Sequence, residues 1–140
     1  ELNNQSIPFS YRSSGINKNY FIIGAKLKLI HGVASVAKKK IKKLIEIRKK
    51  TQPIKTKTGG STFLNTKQKK AWELIKAANC DKLKIGDAEV SSKHCNFLTN
   101  KGKATSFDLE SLGNKIRQKV FKKFGIKLNW EIKVIGSKKK

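Results

Sequence analysis

Between Thr105 and Gly125 the apolar residues Leu109, Leu112, Ile116, Val120 and Phe124 recur every three or four positions, and just beyond them Leu128, Trp130, Ile132 and Val134 recur every two. The first spacing puts one apolar stripe on an α-helix and the second puts one apolar face on a strand, so the chain must pack helix against sheet. Thr105-Ser-Phe-Asp offers the helix an N-cap with an acid in its first turn, and Gly125 closes it as a left-handed cap. A strand is expected over Lys127–Ile135, with Asn129, Glu131 and Lys133 on the face opposite the apolar one.

The same reading divides the rest of the chain. Phe9–Arg12 and Tyr20–Leu29 read as strands joined by the Ser/Gly/Asn-rich linker Ser13–Asn19. Two strands cannot bury themselves in water, so they are expected to belong to a sheet whose other strands lie upstream. From Val33 to about Lys50 the period becomes helical through Val33, Ala37, Ile41 and Leu44, with Lys38–Lys40, Lys42 and Lys43 elsewhere on the surface. Thr51–Thr66, which holds Pro53, Gly59 and Gly60, reads as a loop, and a domain boundary is expected close to residue 51. A short helix over Lys69–Asn79 with Trp72, Ile75 and Ala77 or Ala78 inward follows, then strands over Leu83–Val90 and Lys93–Thr99 and turn chemistry at Asn100-Lys-Gly-Lys. No internal repeat is visible.

At 140 residues the chain is long enough for one compact core and short for two. Thirty-three Lys and Arg against nine Asp and Glu give a formal charge of +24, which raises nucleic acid or an anionic membrane as a partner. Only Arg12, Arg48 and Arg117 are arginine, however, and sites that read phosphates or base edges favour the guanidinium fork. Lysine, isoleucine and asparagine rising together is also what an A/T-biased genome produces through its codons. A basic nucleic-acid-binding module therefore rests on charge alone. No run approaches the roughly 18 apolar residues a membrane-spanning helix needs, so no membrane partner is expected. Cys80 and Cys95 lie apart without metal-ligand spacing, which indicates neither a zinc site nor a disulfide framework and fits a reducing cytoplasm. With no methionine anywhere, the chain is expected to be the later part of something longer.

Three features could carry chemistry. Thr58-Gly-Gly-Ser-Thr-Phe can bring backbone amides close to an anion beside the Ser61 and Thr62 hydroxyls, although on spacing alone a tight surface turn is the simpler account. Glu131 is one of few acids and sits midway along the predicted strand, where an exposed carboxylate facing lysines would be the plain reading. Arg12, in Phe-Ser-Tyr-Arg, is scarce enough to suggest a site that needs a planar, permanently charged fork. His94 reads as a structural hydrogen-bonding residue.

Taken together and in order, Phe9-Ser-Tyr-Arg-Ser-Ser, Gln52-Pro53, Gly59-Gly-Ser-Thr-Phe-Leu-Asn65, Ile85 through Asn100 and Trp130-Glu-Ile-Lys-Val-Ile-Gly136 resemble the C-terminal half of the UDP-N-acetylenolpyruvoylglucosamine reductase (MurB) family. The resemblance implies an α+β architecture. Residues 1–32 would supply the last strands of a flavin-binding domain of the PCMH type, 33–50 a connecting helix, 51–136 a small α+β substrate-binding domain, and 137–140 a basic tail. It also implies an oxidoreductase in which FAD takes hydride from NADPH and passes it to the enolpyruvyl group of UDP-N-acetyl-3-O-(1-carboxyvinyl)-glucosamine, a step of cell-wall precursor synthesis. A cytoplasmic monomer with no nucleic-acid partner follows from the same likeness.

Residue by residue, Arg12 matches the arginine that holds the substrate carboxylate and stabilises the enolate-like intermediate. Ser61 matches the proposed proton donor to carbon, and Glu131 the glutamate that assists in stabilising that charge. Tyr11, Arg48 and Asn65 match positions associated with contacts to substrate phosphate, sugar or carboxylate. Asp87 stands where a second glycine is common and Thr66 where proline usually follows, which puts local turn geometry in question. No tyrosine-bearing loop lies between Leu29 and Arg48, as in the shorter class of the family. The glycine-rich segments that hold the flavin pyrophosphate have no counterpart here, so this chain alone is expected not to hold FAD. No metal is implied.

Overall fold

In a computed structural model of the chain, residues 1–136 are described; the predicted basic tail 137–140 lies outside the described residues. The chain divides into two compact units, Glu1–Ala34 and a second beginning at Ser35.

The first unit holds one 3-10 turn at Asn4–Ser6 and a tight reversal in which Ser10 and Ser13 exchange backbone hydrogen bonds of 2.9 and 3.1 Å. The strands expected over Phe9–Arg12 and Tyr20–Leu29 are not formed in this chain by itself. The reason is the one that made them doubtful as a pair: a strand needs a neighbour for its ladder and a layer for its apolar face. Here Phe21, Ile23 and Ile30 are more than nine-tenths exposed.

The second unit is a small α+β fold. Its elements are α1 (Ala34–Thr51), β1 (Lys57–Ser61), α2 (Ala71–Ala77), β2 (Lys84–Ile85), β3 (Ala88–Val90), β4 (Phe97–Asn100) and α3 (Ser106–Phe124). The four strands make one antiparallel sheet in the order β1-β4-β3-β2. Leu112, Ile116 and Val120 on α3 and Leu74 and Ile75 on α2 are fully buried with Ala88, Val90 and Leu98 of the sheet, Phe63 and Leu128. That core fixes everything that follows.

α3 forms where its stripe and caps predict. The Thr105 hydroxyl accepts from the Asp108 amide, the Asp108 carboxylate accepts from the Thr105 amide, and Gly125 takes φ +68°. The hydrogen bonds from Thr105 also hold the Asp108 carboxyl below its usual range. α1 also appears, but none of its residues is buried.

The strands differ more from expectation. The segment read as a loop contains edge strand β1, because β4 supplies a ladder that Gly59 and Gly60 would not have formed unaided. The register shifts between Thr58 and Ser61, and Gly60 accommodates that bulge at φ +92°. Leu83–Val90 is not one strand but a hairpin, β2 and β3, reversing through Gly86 at φ +52° and Asp87. Lys93–Thr99 contracts to β4, since the Phe97 amide donates to the His94 carbonyl in a turn. α2 is shorter at both ends than predicted, Asn79 leaving helical space at φ +54°, and Trp72 sits at its edge rather than inward. Lys127–Ile135 makes only a bridge between Trp130 and Phe63, and its alternation dies out: Leu128 is buried whereas Val134 is exposed.

Cys80 and Cys95 are free and buried, and burial raises both thiols above their ordinary pKa. Among the described residues, no helix is long and apolar enough to cross a membrane and no group of acidic, His and Cys side chains could hold a metal ion.

Candidate functional site

Ser61 ends β1, half-buried and opposite Phe97 of β4. The chain continues through Thr62 and Phe63, both 1% exposed, and there it runs between two neighbours. On one side the Glu131 amide donates to the Thr62 carbonyl (2.9 Å) and the Leu64 amide donates to the Asn129 carbonyl (2.9 Å). On the other, the Thr62 amide donates to the Asn96 carbonyl at 2.7 Å. Ser61 therefore directly precedes Thr62, the residue whose carbonyl is hydrogen-bonded to Glu131, 70 positions further along the sequence than Ser61.

Glu131 is half-buried, and it lies on a single bridge rather than the regular strand predicted for it. Its position is set instead by the preceding side chain. The Trp130 ring lies 4.9 Å from the Phe63 ring, with the Arg117 guanidinium 5.6 Å from its centroid. Arg117 is itself held by donating Nε–H to the Leu128 carbonyl (2.9 Å) and an Nη1–H to Asn114 Oδ1 (3.1 Å). Opposite the indole stands Gly113 of α3, where an added Cβ would overlap the ring. The one glycine inside this helix is thus a notch for Trp130.

The other candidate residues are spread more widely. Asn65 follows the same segment, and its Oδ1 accepts from the Ala71 amide at 2.9 Å, which ties it to the first turn of α2. Arg48 is exposed in the last turn of α1, its Nε–H donating to Gln52 Oε1 at 3.3 Å. Tyr11 and Arg12 occupy the tight reversal of the first unit, where Arg12 adopts φ +60° and its guanidinium lies 5.8 Å from the Tyr11 ring centroid. A non-glycine residue in this left-handed region is uncommon and strained. Within the second unit, then, Ser61 and Asn65 lie on one segment, Glu131 is hydrogen-bonded to Thr62 of that segment, and Arg48 stands on a separate element.

Sequence reading placed Trp130 on an apolar face but missed the residues that hold it and the Thr62–Phe63 segment: Asn96, Gly113 and Arg117. Gly113 carried a usable signal, since an isolated glycine in a helical pattern commonly has a packing partner. Asn96 carried none, because its partner is 33 residues away.

A cavity of about 430 Å³ in the second unit lies elsewhere, lined by Lys49, Lys55, Lys93, Lys101 and Glu89 among others, and includes none of Ser61, Asn65 and Glu131. The N-termini of α2 and α3 are already occupied and do not suit a pyrophosphate: α3's is taken by its own Asp108, and α2's by the returning Glu73 carboxylate.

Residues 52–135 match the family described as UDP-N-acetylenolpyruvoylglucosamine reductase, C-terminal domain. The chain belongs to this family. The UDP-N-acetylenolpyruvoylglucosamine reductase of Rickettsia prowazekii is 47% identical over 133 residues, covering 95% of the chain and 45% of that protein. That of Wolbachia pipientis is 41% identical over 137 residues, 98% of the chain and 46% of the relative. The crystal structure of the MurB reductase from Thermus caldophilus superposes with a TM-score of 0.75 at 28% identity, over 91% of this chain and 46% of the other. The chain thus spans about half the length of the MurB reductases it matches, and the small α+β fold is that of the family's C-terminal domain. The nucleic-acid reading gains nothing from these likenesses.

Proposed function

We propose that this chain is the substrate half of a UDP-N-acetylenolpyruvoylglucosamine reductase, a cytoplasmic enzyme of peptidoglycan precursor synthesis. FAD and NADPH, which family membership implies, would supply the hydride, and none of the residues described here is assigned to either. The substrate is UDP-N-acetyl-3-O-(1-carboxyvinyl)-glucosamine.

The roles follow from what the reaction demands of this chain. Hydride added to the terminal vinyl carbon leaves negative charge on the neighbouring carbon and its carboxylate, and that charge must be stabilised and then quenched by one proton. Ser61 is assigned as the proton donor. A serine hydroxyl is a weak acid, but an enolate-like carbon is a strong base, so its placement matters more than its acidity. Glu131 is assigned to the stabilisation of the intermediate with Arg12, whose fork suits a carboxylate. Tyr11, Arg48 and Asn65 are assigned to the nucleotide-sugar, and the lysine excess favours approach of its diphosphate.

The observation that supports this reading is that Ser61 directly precedes Thr62, whose carbonyl accepts from the Glu131 amide, in a chain of this family. The test is a two-step one in a protein that joins this chain to a flavin-binding half. Ser61→Ala should leave reduction of the flavin by NADPH nearly unchanged and slow its reoxidation by substrate ~10²–10⁴-fold, the usual worth of a positioned acid. Equal losses in both steps would exclude the proton-donor role.

A further inference from the structure

β4 begins only at Phe97, because the chain turns through His94–Asn96 just before it, yet the segment it pairs with runs on through Thr62 and Phe63. At Phe63 the ladder has lost its strand. The side chain of Asn96 stands in for it: Oδ1 accepts from the Phe63 amide at 3.0 Å, and Nδ2 donates to the Phe63 carbonyl at 2.9 Å. Asn96 is 5% exposed, and its own carbonyl holds the Thr62 amide at 2.7 Å. One buried residue thus fixes three of the backbone groups directly after Ser61.

These contacts reach Glu131 by two short routes. Thr62, held from one side by Asn96, accepts from the Glu131 amide on the other. Phe63, whose peptide is clamped by the carboxamide, packs its ring 4.9 Å from that of Trp130, the residue before Glu131. Rotating the Phe63 peptide would therefore disturb both ends of the pair. We propose that Asn96 is a positioning residue that sets the separation of Ser61 and Glu131 through its two-point hydrogen bond to Phe63, an inference that rests on the assignment of those two residues above.

The chemistry is specific to a planar group with one donor and one acceptor. An ionised aspartate accepts at both oxygens, so it would keep the Phe63 amide and set negative charge against the Phe63 carbonyl. A protonated aspartic acid restores the donor and reproduces the carboxamide pattern. Asn96→Asp is accordingly a variant that acid should repair.

The experiment uses the 140-residue chain and compares Asn96→Asp with the parent at each pH, so that other titrations cancel. At pH 7 the amides of Phe63, Leu64 and Glu131 should exchange with solvent roughly tenfold or more faster in the variant, the scale of one lost buried hydrogen bond. The Ile116 and Val120 amides of α3 should be unaffected, and near pH 4 the difference should close. Asn96→Gln, uncharged but one methylene longer, should give the same local loss without repair by acid, and serves if the aspartate variant does not fold. In parallel, affinity for UDP-N-acetyl-3-O-(1-carboxyvinyl)-glucosamine should fall about tenfold while affinity for UDP holds. Faster exchange confined to Phe63, or equal loss of protection in α3, would overturn the positioning role. Coupled loss at Phe63, Leu64 and Glu131 in a parent chain that binds both nucleotides alike would uphold the positioning of Glu131 and defeat the reductase reading instead.

Discussion

His94 is half-buried in the turn that leads into β4, its ring edge-on to Phe97 at 5.0 Å and its Nδ1 accepting from the Asn96 amide at 3.3 Å. Burial pushes its pKa below the ordinary 6.5, outweighing a smaller opposing hydrogen bond. The folded state thus prefers the neutral ring, and the unfolded chain binds the proton more readily. Stability is fully present above pH 6.5 and falls as the pH drops from there through the lower folded-state value. Protonation also removes the acceptor that Asn96 uses. Denaturant midpoints measured from pH 8 to pH 4 should show this decline, and His94→Asn, which keeps an acceptor but does not titrate, should flatten it; an unchanged slope would count against the assignment. At this scale the sequence was partly legible. A lone histidine reads as a structural hydrogen-bonding group, whereas the asparagine two residues on gives no sign of its task, because that task exists only once Phe63 has folded against it.

Helices and strands were not equally readable, and α1 and α3 together with the sheet show why. A helix makes its hydrogen bonds within itself, so the Thr105 cap, the stripe through Leu112, Ile116 and Val120 and the Gly125 stop are all written in one stretch. A strand's bonds lie in another stretch, so β1 passed for a loop and residues 127–135 for a strand. A stripe predicts a helix but not its burial: α1 has Ile41 and Leu44 on its apolar face, 56% and 57% exposed, while Ile116 of α3 is wholly buried. The two elements should therefore answer mutation differently in this chain. Ile41→Lys with Leu44→Lys should change unfolding free energy by no more than about 0.5 kcal/mol, as for surface positions generally. Ile116→Ala should cost roughly 2–5 kcal/mol by leaving a cavity under the sheet. Urea denaturation followed by Trp130 and Trp72 fluorescence reads both. A large loss from the α1 pair would mean that its stripe is covered in solution.

For the whole molecule, charge said less than order did. A formal +24 fits several classes of partner, whereas five short blocks in a fixed sequence resemble one family, whose C-terminal domain matches residues 52–135. The architecture of the two units has a consequence that charge also makes measurable, because lysines, and hence tryptic sites, occur throughout. Residues 20–33 carry no helix or strand, and Lys26 and Lys28 lie among exposed apolar neighbours. Lys115, Lys119, Lys122 and Lys123 belong to α3, whose buried face anchors the core, and cleavage there requires the helix to open. If exposure of the side chain governed cutting, both groups would be cleaved together. Since a protease must take several residues of backbone in extended form, brief trypsin treatment should cut first at Lys26 and Lys28, next within the unburied α1, and last in α3. Mass spectrometry of the digest would show a persisting fragment that retains residues 57–124. Cleavage in α3 as fast as at Lys26 would mean that the sheet and its helix do not hold together without further partners.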